Sequence, residues 1–188
     1  MARDRERILD AYLVASARLG DRKALSILVQ RWNSKFLAHA WRLLRDREGA
    51  KDAVQDAWGE LLRGLSGLRD DGAFAAWAYR IVSRRCARHI GRLQGERLLA
   101  EEMAAAPVEE SLAEPSSLDV EAVRRAIRTL PPEQQAAIAL FYLEDMSVAE
   151  VAVALDVPAG TVKTRLMHAR RKLRGALEGD QSCGTWTI

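Results

Sequence analysis

Apolar residues recur three and four positions apart along most of this chain, and nowhere is there a sustained alternation of β-branched and polar residues. That spacing confines the fold to helices packed by their apolar stripes. From Asp4 to Leu19 the stripe is Ile8, Leu9, Tyr12, Leu13 and Ala17; Gly20-Asp21 ends it, and Asp21 is placed to cap the next helix. That helix starts near Arg22 and carries Ala24, Leu25, Leu28, Val29 and Trp32. It continues or restarts through Phe36, Leu37, Ala40, Trp41 and Leu44. A third runs from Gly49 to about Leu65 with Ala53, Val54, Ala57, Trp58, Leu61 and Leu62 inward. "GLSGLRDDG" is a loop by its Gly, Ser and Asp content. Ala73 to about Leu93 is one long helix, in which Trp77 falls within the apolar run Phe74, Trp77, Ala78, Ile81 and is read as core.

Composition changes after Arg97. Glu101, Glu102, Glu109, Glu110, Glu114 and Asp119 lie in a stretch with no Lys or Arg, among Pro107, Pro115, Ser116 and Ser117. This predicts a flexible acidic linker over 98–118, a tether rather than an imitation of nucleic acid. It separates two small helical domains, 1–97 and 119–177, in an all-α protein. In the second, Val120 to Thr129 is a short helix and "LPPEQQ" opens another with Pro132 at its start. Ser147 with Glu150 forms a capping box for a third short helix, Val148 to Leu155. The last residues, 178–188, have no helical pattern and are expected to be disordered.

Several function classes fall away. No apolar run approaches the roughly 20 residues that span a bilayer, and "MARDRERILDAYL" lacks the apolar core of a signal peptide, so the expected compartment is the cytoplasm. Cys86 and Cys183 are far apart, as are His39, His89 and His168; neither a disulfide framework nor a metal site is expected. There is no nucleotide-binding loop and no nucleophile with a base, so no cofactor and no catalytic residue is assigned. The net charge is only +3, so a nucleic-acid footprint must come from where charges sit.

They sit on the last helix. After the turn "LDVPAG", Val162, Leu166, Ala169 and Leu173 fall at i, i+4, i+7 and i+11 and form a stripe matched to Val148, Val151, Ala152 and Leu155. Two short helices so joined have helix-turn-helix spacing. The remaining sides carry Lys163, Thr164, Met167, His168, Arg170, Arg171 and Arg174, with no acid among them. A helix held by its apolar stripe and presenting cations and small polar groups suits a DNA major groove. A basic helix end that complements its own dipole, or an acidic protein partner, accounts for the charge but not for the capping box, turn and stripe together.

"LPPEQQAAIALFYLEDMSVAEVAVALDVPAGTVKTRLMHARRKLR" resembles the C-terminal DNA-binding domain of bacterial RNA polymerase sigma factors, specifically the extracytoplasmic-function (ECF) group of the sigma-70 family. "GDRKALSILVQRW", "DREGAKDAVQDAWGEL" and "AFAAWAYRIVSRR" are similar to that group's second region, in the expected order, so the likeness covers about residues 10 to 175. A stand-alone helix-turn-helix regulator would not need this N-terminal unit, and a sigma-mimicking interaction protein would not need the cations.

The resemblance implies a factor that binds core RNA polymerase and directs it to −10 and −35 promoter elements. Helix Lys51 to Leu62 would dock on the clamp helices of the largest subunit through Asp52, Gln55, Asp56 and Glu60. The fourth region would contact the flap of the second largest subunit. Ser66, Arg69 and Asp70 of the loop, with Arg80, Arg84, Arg85 and Arg88 of the following helix, would handle the −10 element. A base held outside the stack needs such a polar, cationic surround. Lys163, Thr164, Met167 and His168 would read −35 base edges. Arg165, Arg170 and Arg171 would meet phosphates, and Thr161 a phosphate at the helix start. An anti-sigma factor is a further implied partner, with no membrane insertion of the chain itself. Departures from the pattern are Asp156 where Gly is usual, Arg84 where Asn is common, Leu25 where Phe is frequent, and Trp32 for Tyr or His. Asp tolerates a left-handed backbone, so the turn is expected to survive.

Overall fold

The computed structural model describes residues 2–100, 123 and 125–181, with side-chain surroundings for 5–94, 123 and 125–176. Every regular element among them is helical. Helix α1 spans Ala2–Arg18 and α2 spans Arg22–Leu44, unbroken at the point where the sequence left a restart open. Asp21 caps α2 by accepting from the Lys23 and Ala24 amides. Arg45 then turns left-handed (φ 57°) and closes the helix onto the Trp41 carbonyl, so one residue redirects the chain to Asp46, the cap of α3 (Arg47–Gly64). Two short 3-10 turns, Leu65–Gly67 and Asp71–Ala73, lead to α4, Phe74–Ala100.

Aromatic side chains from three helices lock this unit. Trp32 meets the edges of Phe74 and Tyr79 with ring centroids 5.2 and 5.8 Å away, and Phe36 lies 5.2 Å from Trp58 and 5.4 Å from Tyr79. The Trp58 indole N–H reaches Asn33 Oδ1 at 3.1 Å, which satisfies its polar end. Trp77 is half-buried against the same cluster, and a Cβ on Gly64 would come within 3.0 Å of its ring. A side chain at Gly64 would require the Trp77 ring to shift by a few tenths of an ångström. His39 is wholly buried, with Nε2 2.9 Å from Ser83 Oγ.

In the second half a helical turn at 125–128 precedes α5 (Pro132–Tyr142), α6 (Val148–Leu155) and α7 (Ala159–Gln181). Buried Gln135 ties the first two together, donating from its amide nitrogen to the carbonyls of Arg128 and Leu130 at 3.0 Å each. The two halves pack against each other. Helix α6 lies along α4, α5 lies against α2, and Leu130, Ile138, Leu140, Met146 and Val151 continue the apolar cluster of the first half.

Several expectations shift. Ile8 (69%) and Tyr12 (67%) are exposed, and α1 buries Leu13 and Val14 instead. The reason is polar: Arg31 holds the Asp10 carboxylate at 2.9 Å and Arg18 holds Asp71 at 2.7 Å, which turns the Ile8–Tyr12 edge outward. Trp41, expected in the core, is 37% exposed with the Arg45 guanidinium over its ring, and Leu62 is also exposed. Helix α4 continues to Ala100 and α7 to Gln181, past the predicted ends near Leu93 and Leu177. Most of the acidic linker, residues 101–118, and the tail residues 182–188 lie outside the described residues.

Burial, with a further push from Arg42, depresses the His39 pKa from 6.5 to about 3. An unfolded chain therefore takes up a proton on His39 below pH 6.5 that the folded chain refuses down to pH 3. This contribution to stability is complete above pH 6.5 and declines as pH falls through that window, by at most ~1.4 kcal/mol per pH unit. Denaturant unfolding of His39→Leu between pH 7 and 4.5 should show a shallower loss than the parent chain.

Candidate nucleic-acid and polymerase interfaces

The helix-turn-helix is built by two local devices. Ser147 Oγ accepts from the Glu150 amide at 3.2 Å while the Ser147 amide donates to Glu150 Oε2 at 2.7 Å, so α6 starts with both capping bonds made. Burial works against the Glu150 carboxylate, but hydrogen bonds from Ser147 and the nearby Arg7 hold its pKa below the ordinary value. At the other end Asp156 takes the left-handed conformation (φ 55°, ψ 45°) and its amide closes onto the Ala152 and Val153 carbonyls. Pro158 then sets the start of α7.

Val162, Leu166 and Ala169 are buried and Leu173 is half-buried, as the stripe predicts. Burying a side chain of Val or Leu size stabilises by roughly 1.5–3 kcal/mol, enough to fix the rotation of α7. That rotation leaves Lys163, Thr164, Met167, Arg170 and Arg171 exposed on one side. Thr164 Oγ1 donates to the Gly160 carbonyl at 3.0 Å, and Arg171 lies 2.8 Å from His168 Nδ1. Arg170 donates from Nε to the Tyr142 hydroxyl at 2.8 Å and lies over the rings of Phe141 and Tyr142. It is therefore oriented by α5. Thr161, Arg165 and His168 are half-buried, with Arg165 on the opposite flank of the helix.

In the first half, Asp52, Gln55 and Asp56 are exposed on one face of α3. Glu60, one turn further on, is turned toward α4, where Arg85 donates to it from both Nε and Nη2. Arg85 also faces Asp56 at 3.9 Å. The hydrogen bond from Arg85 is the main cause of a lowered Glu60 pKa. So a residue assigned to DNA and one assigned to polymerase are joined to each other. Arg80, Arg84 and Arg88 form an exposed row at four-residue spacing on α4. Ser66, Arg69 and Asp70 are exposed in the loop, where Asp70 Oδ1 accepts from the Gly72 amide at 2.9 Å.

Sequence reasoning missed the contacts between the halves. Arg80 Nη2 lies 2.9 Å from Asp156 Oδ1, Lys35 Nζ 2.8 Å from Glu144 Oε2, and Arg7 donates to the Asp145 carbonyl at 2.7 Å and lies 3.6 Å from Glu150. Arg45 reaches the carbonyls of Arg128 and Leu130 at 3.4 and 3.5 Å. Partners 76 and 109 residues apart leave no periodic trace in a sequence. Among the described residues there is no cluster of three or more His, Cys, Asp and Glu arranged for a metal, and no helix long and apolar enough to cross a membrane.

With this geometry in hand, comparison with known proteins is decisive. Residues 28–96 match the family model of sigma-70 region 2, and residues 120–173 match that of sigma-70 region 4. The ECF RNA polymerase sigma factor SigM of Mycobacterium tuberculosis is 35% identical over 164 residues, covering 87% of this chain and 82% of SigM. The ECF RNA polymerase sigma-E factor of Escherichia coli K12 is 30% identical over 181 residues, 89% of this chain and 94% of that one. This chain belongs to the ECF RNA polymerase sigma factors. Among solved structures, the sigma factor RpoE from Bartonella quintana, in complex with the anti-sigma factor NepR, superposes with a TM-score of 0.68 at 22% identity. The match covers 83% of this chain and 98% of that one. CnrH, in complex with the cytosolic domain of CnrY, superposes with a TM-score of 0.60 at 22% identity, over 92% and 99%. Those likenesses confirm the fold. The buried cluster Trp32, Phe36, Phe74 and Tyr79 is the core of region 2 in this sigma factor, and α6–α7 is the helix-turn-helix of its region 4.

Cys86 sits inside region 2. Neighbouring Arg84, Arg85 and Arg88 could lower its thiol pKa, but a packed and inert free cysteine is the expectation from the sequence. Its side chain is buried, and desolvation pushes the thiol up to about 12. Cys183 lies outside the described residues. Iodoacetamide at pH 8 should leave Cys86 unmodified in the native protein and alkylate it after denaturation, as mass spectrometry of the Cys86 peptide will register. Native-state labelling would mean that region 2 opens readily.

Proposed function

We propose that this sigma factor docks on core RNA polymerase through the exposed Asp52, Gln55, Asp56 face of α3, handles the −10 element with the α4 row and the Ser66–Asp70 loop, and reads the −35 element with α7. The observation that carries the reading is the rotation of α7. Its apolar stripe is buried, and the side left free holds Lys163, Thr164, Met167 and Arg171 with no acid among them. Arg165, on the other flank, and Arg170, steadied by Tyr142, would meet phosphates rather than bases. Thr161 would lie at a phosphate near the helix start, and His168 would position Arg171.

Such a protein acts by binding and not by catalysis, in the cytoplasm with its polymerase. Clamp helices of the largest subunit and the flap of the second largest are its proposed docking points. An anti-sigma factor is a proposed regulator, supported by the NepR and CnrY complexes of its structural relatives.

Substituting Lys163 and Thr164 by Ala should cut run-off transcription from a −35-dependent promoter by at least tenfold while core binding stays intact, since each base contact is worth ~1–3 kcal/mol. Unchanged transcription would remove these residues from the groove. Asp56→Lys should weaken core polymerase binding at retained helicity, and full affinity in that variant would refute the docking face.

Arg85 is assigned differently from its neighbours. Because two of its guanidinium nitrogens donate to Glu60 Oε2, we assign it to holding α3 against α4 and not to DNA. In holoenzyme bound to a −10 single strand, Arg84→Ala and Arg88→Ala should each flatten the log K against log salt slope by roughly 0.7. Arg85→Ala should leave that slope alone.

A further inference from the structure

We infer that Arg18, in the last turn of α1, is a positioning residue for −10 recognition: through Asp71 it fixes where the exposed tip of the α3–α4 loop stands. This rests on the proposed −10 role of that loop. Residues 65–73 join α3 to α4 through two 3-10 turns, and the hydrogen bonds that shape them are local. The Leu68 amide donates to the Leu65 carbonyl at 3.2 Å, the Ala73 amide to the Asp70 carbonyl at 3.1 Å, and the Gly72 amide to Asp70 Oδ1 at 2.9 Å. Bonds of such short span set the shape of each turn but not its place against the helices. Leu65 is buried and anchors the start of the loop. Near its end, Arg18 Nη1 donates to Asp71 Oδ1 at 2.7 Å, across 53 residues of sequence. Among the described residues this is the polar contact that ties the loop to another element. Helix α1 also packs along the second 3-10 turn.

The anchor is itself firmly held. Leu13 and Val14 are buried in the region 2 core and Arg31 holds Asp10 at 2.9 Å, so the rotation of α1 is fixed. The helix ends at Arg18, and Gly20 (φ 93°) turns the chain back into α2. A cation in the last turn is also favoured by the helix dipole. The two side chains are 29% exposed each, so the pair is screened less than one on the open surface, and its charge-assisted bond holds one geometry. Asp71 directly follows Arg69 and Asp70, which are exposed together with Ser66 and Gly67. Consecutive Cα atoms are about 3.8 Å apart, so pinning Asp71 keeps the backbone of Arg69 and Asp70 within roughly 8 Å of a fixed point. A base held outside the stack is best met by polar groups already in place, because a loop ordered only on binding loses affinity and discrimination. The region 2 match covers residues 28–96, so this anchor comes from a helix outside the matched segment.

The test uses holoenzyme reconstituted with the full chain carrying Arg18→Gln, Asp71→Asn or both. Run-off transcription is measured on promoters that share one −35 element and carry each of the four bases at each −10 position. Core affinity and the thermal midpoint are recorded alongside. Arg18→Gln should lower transcription from the preferred −10 sequence about five- to twentyfold and compress the ratio between preferred and disfavoured bases, with core affinity retained. Asp71→Asn, which leaves α1 untouched, should give the same profile. The double variant should be no worse than either single one, since all three remove one contact. A uniform drop on every −10 sequence with the base ratios intact would overturn the inference, because the pair would then support the fold alone. Additive losses in the double variant, or unchanged profiles in both single variants, would overturn it as well. Arg69→Ala and Asp70→Ala separate the two levels of the argument. If they alter the base profile while Arg18→Gln and Asp71→Asn do not, the loop reads the −10 element and the anchoring alone is refuted. If they too leave the profile unchanged, the −10 assignment of the loop is wrong and the anchoring role falls with it.

Discussion

Helix α4 is the element on which the rest of the molecule leans. It packs on α2 and α3 through Phe74, Tyr79, Ile81 and Val82, and α6 of region 4 lies along it as well. The first turns of this helix are mostly buried by those contacts, and Arg84 and Arg88 stand on the side left to solvent. The same packing that stabilises region 2 therefore decides which cations of α4 face solvent.

Two kinds of interaction divide the work. Apolar burial determines position: Val162, Leu166 and Ala169 set the rotation of α7, and the Trp32–Phe36–Phe74–Tyr79 cluster sets α4 against α2. Charge pairing then determines availability. Arg85 is directed into Glu60 and Arg80 into Asp156, while Lys163 and Arg84 are exposed. Exposed pairs are weak and screened by salt, so the Arg80–Asp156 pair adds little to stability, whereas the half-buried Arg85 pair is suited to holding two helices together.

The seam between regions 2 and 4 also explains the mixed character of its polar groups. A permanent interface would bury mostly apolar side chains. Here Lys35, Arg7, Arg45 and Arg80 reach carboxylates and carbonyls at the rim, and they close an apolar contact without sealing it. Interfaces between domains of one chain commonly have this mixed composition.

Helix spacing, the Ser147–Glu150 box, the turn at Asp156 and the stripe of α7 are all written in residues close together in the chain. For that reason the all-α class and the helix-turn-helix were legible before any coordinates. Local pattern also predicted which side of α7 would be free, because a stripe at i, i+4, i+7 and i+11 leaves only one opposite side. It failed where distant residues decide: Ile8 and Tyr12 face out because Asp10 is held by Arg31, and Trp41 is lifted to the surface beside Arg45. The pairing of Arg85 with Glu60, and of Arg80 with Asp156, needed the helices brought side by side. Sequence alone determined the helices and the sign of charge each one carries. Only the tertiary structure decided which charges meet, because Coulomb attraction depends on separation in space and periodicity records none of it.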